Sequence, residues 1–118
     1  MRLLLVDDDE LVRASLPPML EALGHTVQVA SGGLDALRRL NAGLAADVVV
    51  LDMNMPGLDG LETLGRLRIS HPDLAVVVAS GFLDPETRER LAGFPNLRVL
   101  SKPFSAQELQ ASLRDLAG

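Results

Sequence analysis

The chain of 118 residues has no cysteine, no tryptophan and no tyrosine, and only three phenylalanines. The lack of cysteine excludes a disulfide framework, a thiolate nucleophile and a cysteine-ligated metal. With no tryptophan or tyrosine to stack on bases, no basic stripe and a formal net charge of −5, direct nucleic-acid binding is not expected. No apolar stretch approaches the roughly 20 residues needed to span a bilayer. The opening Met1-Arg2-Leu3-Leu4-Leu5-Val6 reaches Asp7 too soon for a signal peptide. A cytoplasmic location without a membrane partner is the default expectation. Lysine is nearly absent too: of 11 basic residues ten are arginine, and Lys102 is the single lysine. Base bias in the genome accounts for the arginines but not for the exception. A compact ammonium on a flexible stem does what a planar guanidinium does not.

What is present is a hydrophobic fraction of 47% on a length that suits one domain with a real core. No linker, repeat or low-complexity stretch divides it. A single domain over residues 1–118 is expected, with no output domain in the chain. Strand and helix signals alternate. Short apolar runs, most of them rich in valine, predict strands at Leu3–Val6, Thr26–Ala30, Asp47–Leu51, Ala75–Ala79 and Leu97–Leu100.

Between the strands lie five helices. The first runs from about Glu10 to Leu23, with Leu16, Met19, Leu20 and Leu23 as its apolar stripe and Gly24 as its stop. Pro17-Pro18 falls inside it and removes two amide donors, so a kink or a tight turn near Ala14 to Leu16 is expected. Ser31 is expected to cap a second helix carrying Leu34, Leu37 and Leu40. The third starts at Asp59-Gly60-Leu61-Glu62 and bears Leu61, Leu64 and Leu67. Asp84-Pro85 opens a fourth, which ends near Gly93. Ser105 and Glu108 form a capping box for the last, with Phe104 and Leu109 as a hydrophobic staple. Five strands alternating with five helices give an α/β fold, a doubly wound parallel sheet with right-handed crossovers.

In such a sheet ligands bind beyond the carboxyl ends of the strands. Four of the strands end there on polar residues: Asp7-Asp8-Asp9, Asp52-Met53-Asn54-Met55-Pro56-Gly57, Ser80-Gly81 and Ser101-Lys102-Pro103. Taken singly, each has an ordinary structural use as a cap, a turn or a strand end. Together they describe one centre. Crowded carboxylates repel one another unless a hard divalent cation sits among them with a lysine nearby.

These residues carry a resemblance. Asp7-Asp8, Asp52 within Leu51-Asp52-Met53-Asn54-Met55-Pro56-Gly57-Leu58-Asp59-Gly60, Ser80-Gly81 and Lys102-Pro103-Phe104, in that order, resemble the response-regulator receiver domain of two-component and phosphorelay signalling, over essentially the whole chain. The resemblance implies a flavodoxin-like sheet with strand order 2-1-3-4-5. It implies that Asp52 is the phosphoacceptor, taking its phosphoryl group from the phosphohistidine of a sensor histidine kinase or a histidine phosphotransfer domain. It also implies Mg²⁺, or Mn²⁺, held by Asp8, Asp52 and the backbone carbonyl of Asn54, with Asp7 acting through metal-bound water. Lys102 and the Ser80 hydroxyl would contact phosphoryl oxygens, and the Lys102-Pro103 bond would be cis. The domain would catalyse only its own phosphorylation and dephosphorylation, and so is not classed as an enzyme.

One position departs from the family pattern. Three residues before the site lysine, where an aromatic or histidine is usual, stands Val99, so Phe82 is the better candidate for a mobile reporter. Two rivals remain beside the resemblance. An aspartyl-phosphate phosphatase of the haloacid-dehalogenase type would need an acid where Asn54 stands. A degenerate receiver would act only as a protein-docking module. His25 and His71 are read as structural.

Overall fold

Runs such as Leu3-Leu4-Leu5-Val6 and Val48-Val49-Val50-Leu51 have no polar residue to turn outward. They form a stable structure only where both faces of a strand are covered. The computed structural model, which describes residues 1–53, 60–81 and 83–117 (Ala117 by its backbone alone), has that arrangement. Its elements are β1 (Arg2–Val6), α1 (Glu10–Ala22), β2 (Thr26–Ala30), α2 (Gly33–Asn41), β3 (Val48–Asp52), α3 (Gly60–Ser70), β4 (Ala75–Ser80), α4 (Pro85–Ala92), β5 (Leu97–Ser101) and α5 (Ala106–Ala117). The strands are parallel, in the order β2-β1-β3-β4-β5. The chain is therefore the α/β, flavodoxin-like, doubly wound sheet expected from its sequence.

Side-chain alternation along the strands divides the core in two. Leu4, Val6, Val49, Leu51, Val76 and Val78 pack with Leu37 and Leu40 of α2, Leu64 and Leu67 of α3 and Leu91 of α4. Leu3, Leu5, Val48, Val50 and Val77 pack with Leu16 and Leu20 of α1 and Leu109 and Leu113 of α5. So α1 and α5 cover one face, and α2, α3 and α4 the other.

Most helix ends follow the sequence signals. Asp84 caps α4 by accepting from the Thr87 amide at 2.8 Å, a bond that holds its carboxyl below the ordinary value. Ser105 and Glu108 exchange both bonds of the capping box, at 3.1 and 3.2 Å.

Several expectations are corrected. Ser31 does not cap α2. The N-cap is Gly32, and the amide and hydroxyl of Ser31 instead donate to Asp35, whose carboxylate lies within the first turn. Leu34 is exposed, because the buried stripe of α2 runs through Gly33, Ala36, Leu37 and Leu40. Of the stripe expected on α1, Met19 and the C-cap Leu23 are exposed, and only Leu16 and Leu20 are buried. No turn interrupts α1 at Ala14 to Leu16: Pro17 and Pro18 lie inside a continuous helix. The helix carbonyls left without donors by the two prolines are those of Arg13 and Ala14, and Ala14 is exposed to solvent.

Gly60 has a specific reason to be glycine. A Cβ there would lie 2.6 Å from both the Cα and the Sδ of Met53 and 3.0 Å from the carbonyl oxygen of Asp52. The start of α3 thus packs directly on the end of β3. His25 proves to be a bridge: Nδ1 lies 3.2 Å from the amino-terminal nitrogen of Met1 and Nε2 lies 2.6 Å from Oε1 of Gln110 on α5.

Candidate functional site

The register places the polar residues at one level. Val6 pairs with Leu51, and Leu51 with Val78, so Asp7 and Asp52 each follow the last apolar residue of adjacent strands. Alternation sets their side. Asp7 continues the phase of Leu3 and Leu5, and Asp52 that of Val48 and Val50, toward the face covered by α1 and α5. The strands run one residue further than the apolar runs suggest. Asp52, Ser80 and Ser101 are the last members of β3, β4 and β5, because main-chain pairing does not depend on the side chain. Asp7, Asp52 and Ser80 are buried, at 3%, 4% and 3% exposure.

Carboxylate oxygens of Asp7, Asp8 and Asp52 lie within 4.8 Å of one another, with Asp8 exposed to solvent. Lys102, the residue after β5, reaches in: Nζ lies 3.0 Å from Oδ1 of Asp52 and 3.8 Å from Oδ2 of Asp7. Its own amide donates to the Ser80 carbonyl at 2.8 Å, which ties the end of β5 to that of β4. The Lys102-Pro103 peptide is cis, as the resemblance implies. Asn54, the remaining sequence-derived metal-site residue, and Phe82, the reporter candidate, lie outside the described residues. Val99 on edge strand β5 is 42% exposed.

Burial pushes the Asp7 carboxyl above its ordinary value. The Asp9 amide, which donates to its Oδ1 at 2.9 Å, opposes that rise. The neighbouring charges of Asp52 and Asp8 push the same way as burial, and Lys102 pulls against them. A site that carries three acids and one ammonium retains a surplus of negative charge. The donor set is all oxygen and lies at the mouth of the sheet. These residues fit a hard cation such as Mg²⁺ and not one that prefers nitrogen or sulfur.

Beside the carboxylates a cavity of about 500 Å³ opens between α1 and the β5–α5 turn, lined by Asp7, Asp52 and Lys102 and by Val12, Leu16 and Phe104 among its apolar walls. Sequence reasoning missed this cleft, because its walls come from segments far apart in the chain. It also missed Arg13, whose guanidinium donates to the Asp7 carbonyl. An arginine one turn into a helix carries no signal of that contact.

A family model for the response regulator receiver domain matches residues 3–114. The chain belongs to this family. Receiver domains are signalling domains of two-component systems, in which response regulators work with sensor histidine kinases. The response regulator MprA of Mycobacterium ulcerans is 41% identical over 117 residues, which are 98% of this chain and 49% of that protein. The chain spans about half the length of such relatives. The sensor kinase CckA of Brucella abortus is 33% identical over 114 residues, 96% of this chain but 12% of that protein. Among solved structures, the response regulator TrrA of Thermotoga maritima in complex with Mg²⁺-BeF superposes with a TM-score of 0.79 at 30% identity, covering 98% of this chain and 97% of that one. Among the described residues of this receiver domain, no helix is long and apolar enough to cross a membrane.

Proposed function

We propose that this receiver domain accepts a phosphoryl group on Asp52 from the phosphohistidine of a sensor kinase or histidine phosphotransfer domain, in the presence of Mg²⁺. The observation that carries the reading is the setting of Asp52: a buried carboxylate with an ammonium at 3.0 Å and two further carboxylates within 4.8 Å. An oxygen of Asp52 attacks phosphorus, the phosphorus–nitrogen bond of the donor breaks, and its electron pair leaves with the imidazole. Mg²⁺, when bound, shields negative charge on both the nucleophile and the phosphoryl group.

Asp8 and Asp52, with the carbonyl of Asn54, would hold the ion, and Asp7 would hold water bound to it. Lys102 sits where it can leave Asp52 for a phosphoryl oxygen, a charge-assisted contact. The Ser80 hydroxyl, at the end of the neighbouring strand, would bond another. The cleft beside Asp52 gives the histidine-bearing partner a route to the nucleophile. TrrA, which shares the fold, is seen with Mg²⁺ and a beryllium fluoride group.

Phosphoramidate, whose phosphorus–nitrogen bond matches that of phosphohistidine, provides the test. Intact mass should rise by one phosphoryl group with Mg²⁺ and stay unchanged with chelator. Labelling that persists at the same level without Mg²⁺ contradicts the metal half of the reading. No labelling under any condition contradicts the whole of it.

A further inference from the structure

Hydrogen bonds within and around it hold the acidic turn between β1 and α1, and the Asp7 amide donates to the Ala30 carbonyl at 3.2 Å. The Asp9 amide donates to Oδ1 of Asp7 at 2.9 Å, and Oδ1 of Asp9 accepts from the Leu11 amide at 2.9 Å. The Arg13 amide donates to the Asp9 carbonyl at 3.1 Å. Another is a side-chain bond: Nη1 of Arg13 reaches back along α1 and donates to the Asp7 carbonyl at 2.8 Å. That carbonyl belongs to the planar peptide unit leading from Asp7 into Asp8, so holding it fixes the direction in which the chain enters Asp8. Asp8 is exposed to solvent. Arg13 itself is half-buried.

We infer that Arg13 is a positioning residue of the metal site: through the Asp7 carbonyl it holds the Asp7–Asp8 peptide so that both carboxylates face Asp52. The inference rests on the reading of these carboxylates as a Mg²⁺ site. Two effects of Arg13 oppose each other there. Its positive charge, close to the acids, disfavours a divalent cation. Its tether preorganises the ligands and favours one. A removed tether weakens Mg²⁺ binding, whereas a removed charge strengthens it, so the sign of the change identifies the role.

Calorimetric titration of Mg²⁺ into the parent chain and its Arg13 variants provides the test, with thermal unfolding in chelator as the measure of fold. Arg13→Met should weaken Mg²⁺ binding by about tenfold, the usual size for loss of a group that orients a metal ligand. Arg13→Lys, which keeps the charge and a donor, should bind Mg²⁺ more tightly than Arg13→Met. Should Arg13→Met lose cooperative unfolding, Arg13→Gln carries the same sign test with a polar side chain. Binding by Arg13→Met or Arg13→Gln equal to or tighter than that of the parent overturns the inference. So does an Arg13→Lys variant weaker than Arg13→Met. A parent chain that does not bind Mg²⁺ overturns the reading of the site instead, and the two failures are thereby distinct.

Discussion

Nζ of Lys102 lies 3.0 Å from Oδ1 of Asp52, on a strand two places away in the sheet, with β4 between them. The contact is built from the backbone upward. Asp52 pairs with Ala79 and Ser80 with Ser101, so the residue after Ser101 is delivered just beyond the ends of β3 and β4. The amide of Lys102 is then fixed on the Ser80 carbonyl. A chain that uses arginine at ten of its 11 basic positions has lysine at this one.

The first prediction follows from that exception. Several arginines form i,i+4 surface pairs, Arg39 with Asp35, Arg66 with Glu62 and Arg90 with Glu86, where shape matters little. Lys102 stands between two buried carboxylates, where a flat, forked group needs more room than a point charge. Lys102→Arg should lower the rate of Asp52 phosphorylation by about tenfold or more despite the retained charge. A rate equal to the parent's would reduce the single lysine to an accident of base composition.

Asp7 gives a pH-dependent prediction. Its carboxyl is raised above the ordinary value, first by burial and then by the charges of Asp52 and Asp8. Ionised Asp7 therefore weakens the metal-free fold at neutral pH, and that penalty is relieved as pH falls through the folded-state value. Asp7→Asn, which keeps an oxygen to accept from the Asp9 amide, should raise the melting temperature of the metal-free protein at pH 7. The gain should vanish near pH 4, around the unfolded value. The same variant should bind Mg²⁺ about tenfold more weakly. A melting temperature lowered at pH 7 would contradict the sign.

Gly60 gives a packing prediction. A methyl group there meets Met53 backbone at 2.6 Å, and backbone yields less readily than a flexible side-chain end. Gly60→Ala should lower unfolding stability in urea by about 1–3 kcal/mol, the range for overpacking. It should also slow phosphorylation, because the displaced segment begins at Asp52. Parent-like stability would show that α3 is free to move away from β3.

Val99 gives a prediction about signalling. At 42% exposure on an edge strand, a small branched side chain has no large inward rotation to make. Phosphorylation should change amide exchange from Leu83 through Leu91, in the stretch after Ser80 and along α4, and leave β5 at Val99 little changed. Unchanged protection along Leu83 to Leu91 would favour a phosphate relay without conformational output.

The architecture was legible because apolar runs with no polar face admit few alternatives, and Asp7, Asp8, Asp52, Ser80 and Lys102 were legible as candidates because each lies at or just past the end of such a run. What the sequence did not show has physical causes. Leu34, Met19 and Leu23 are leucine and methionine on helices, and composition alone does not say which side of a stripe a marginal position takes. Ser31 precedes Gly32, and both can begin a helix, so the choice fell to Asp35, which draws Ser31 into a different bond. The Arg13 contact and the cleft between α1 and the β5–α5 turn depend on how segments lie against one another, which no local pattern encodes.

Asp52 alone should carry the phosphoryl group. Acetyl phosphate with Mg²⁺, followed by reductive trapping of the acyl phosphate and peptide mapping by mass spectrometry, identifies the acceptor. The expected result is one modified residue, Asp52, with the label lost in Asp52→Asn and in chelator. Undiminished labelling of Asp52→Asn, or a trapped group mapped to Asp7 or Asp8 in the parent chain, would contradict it.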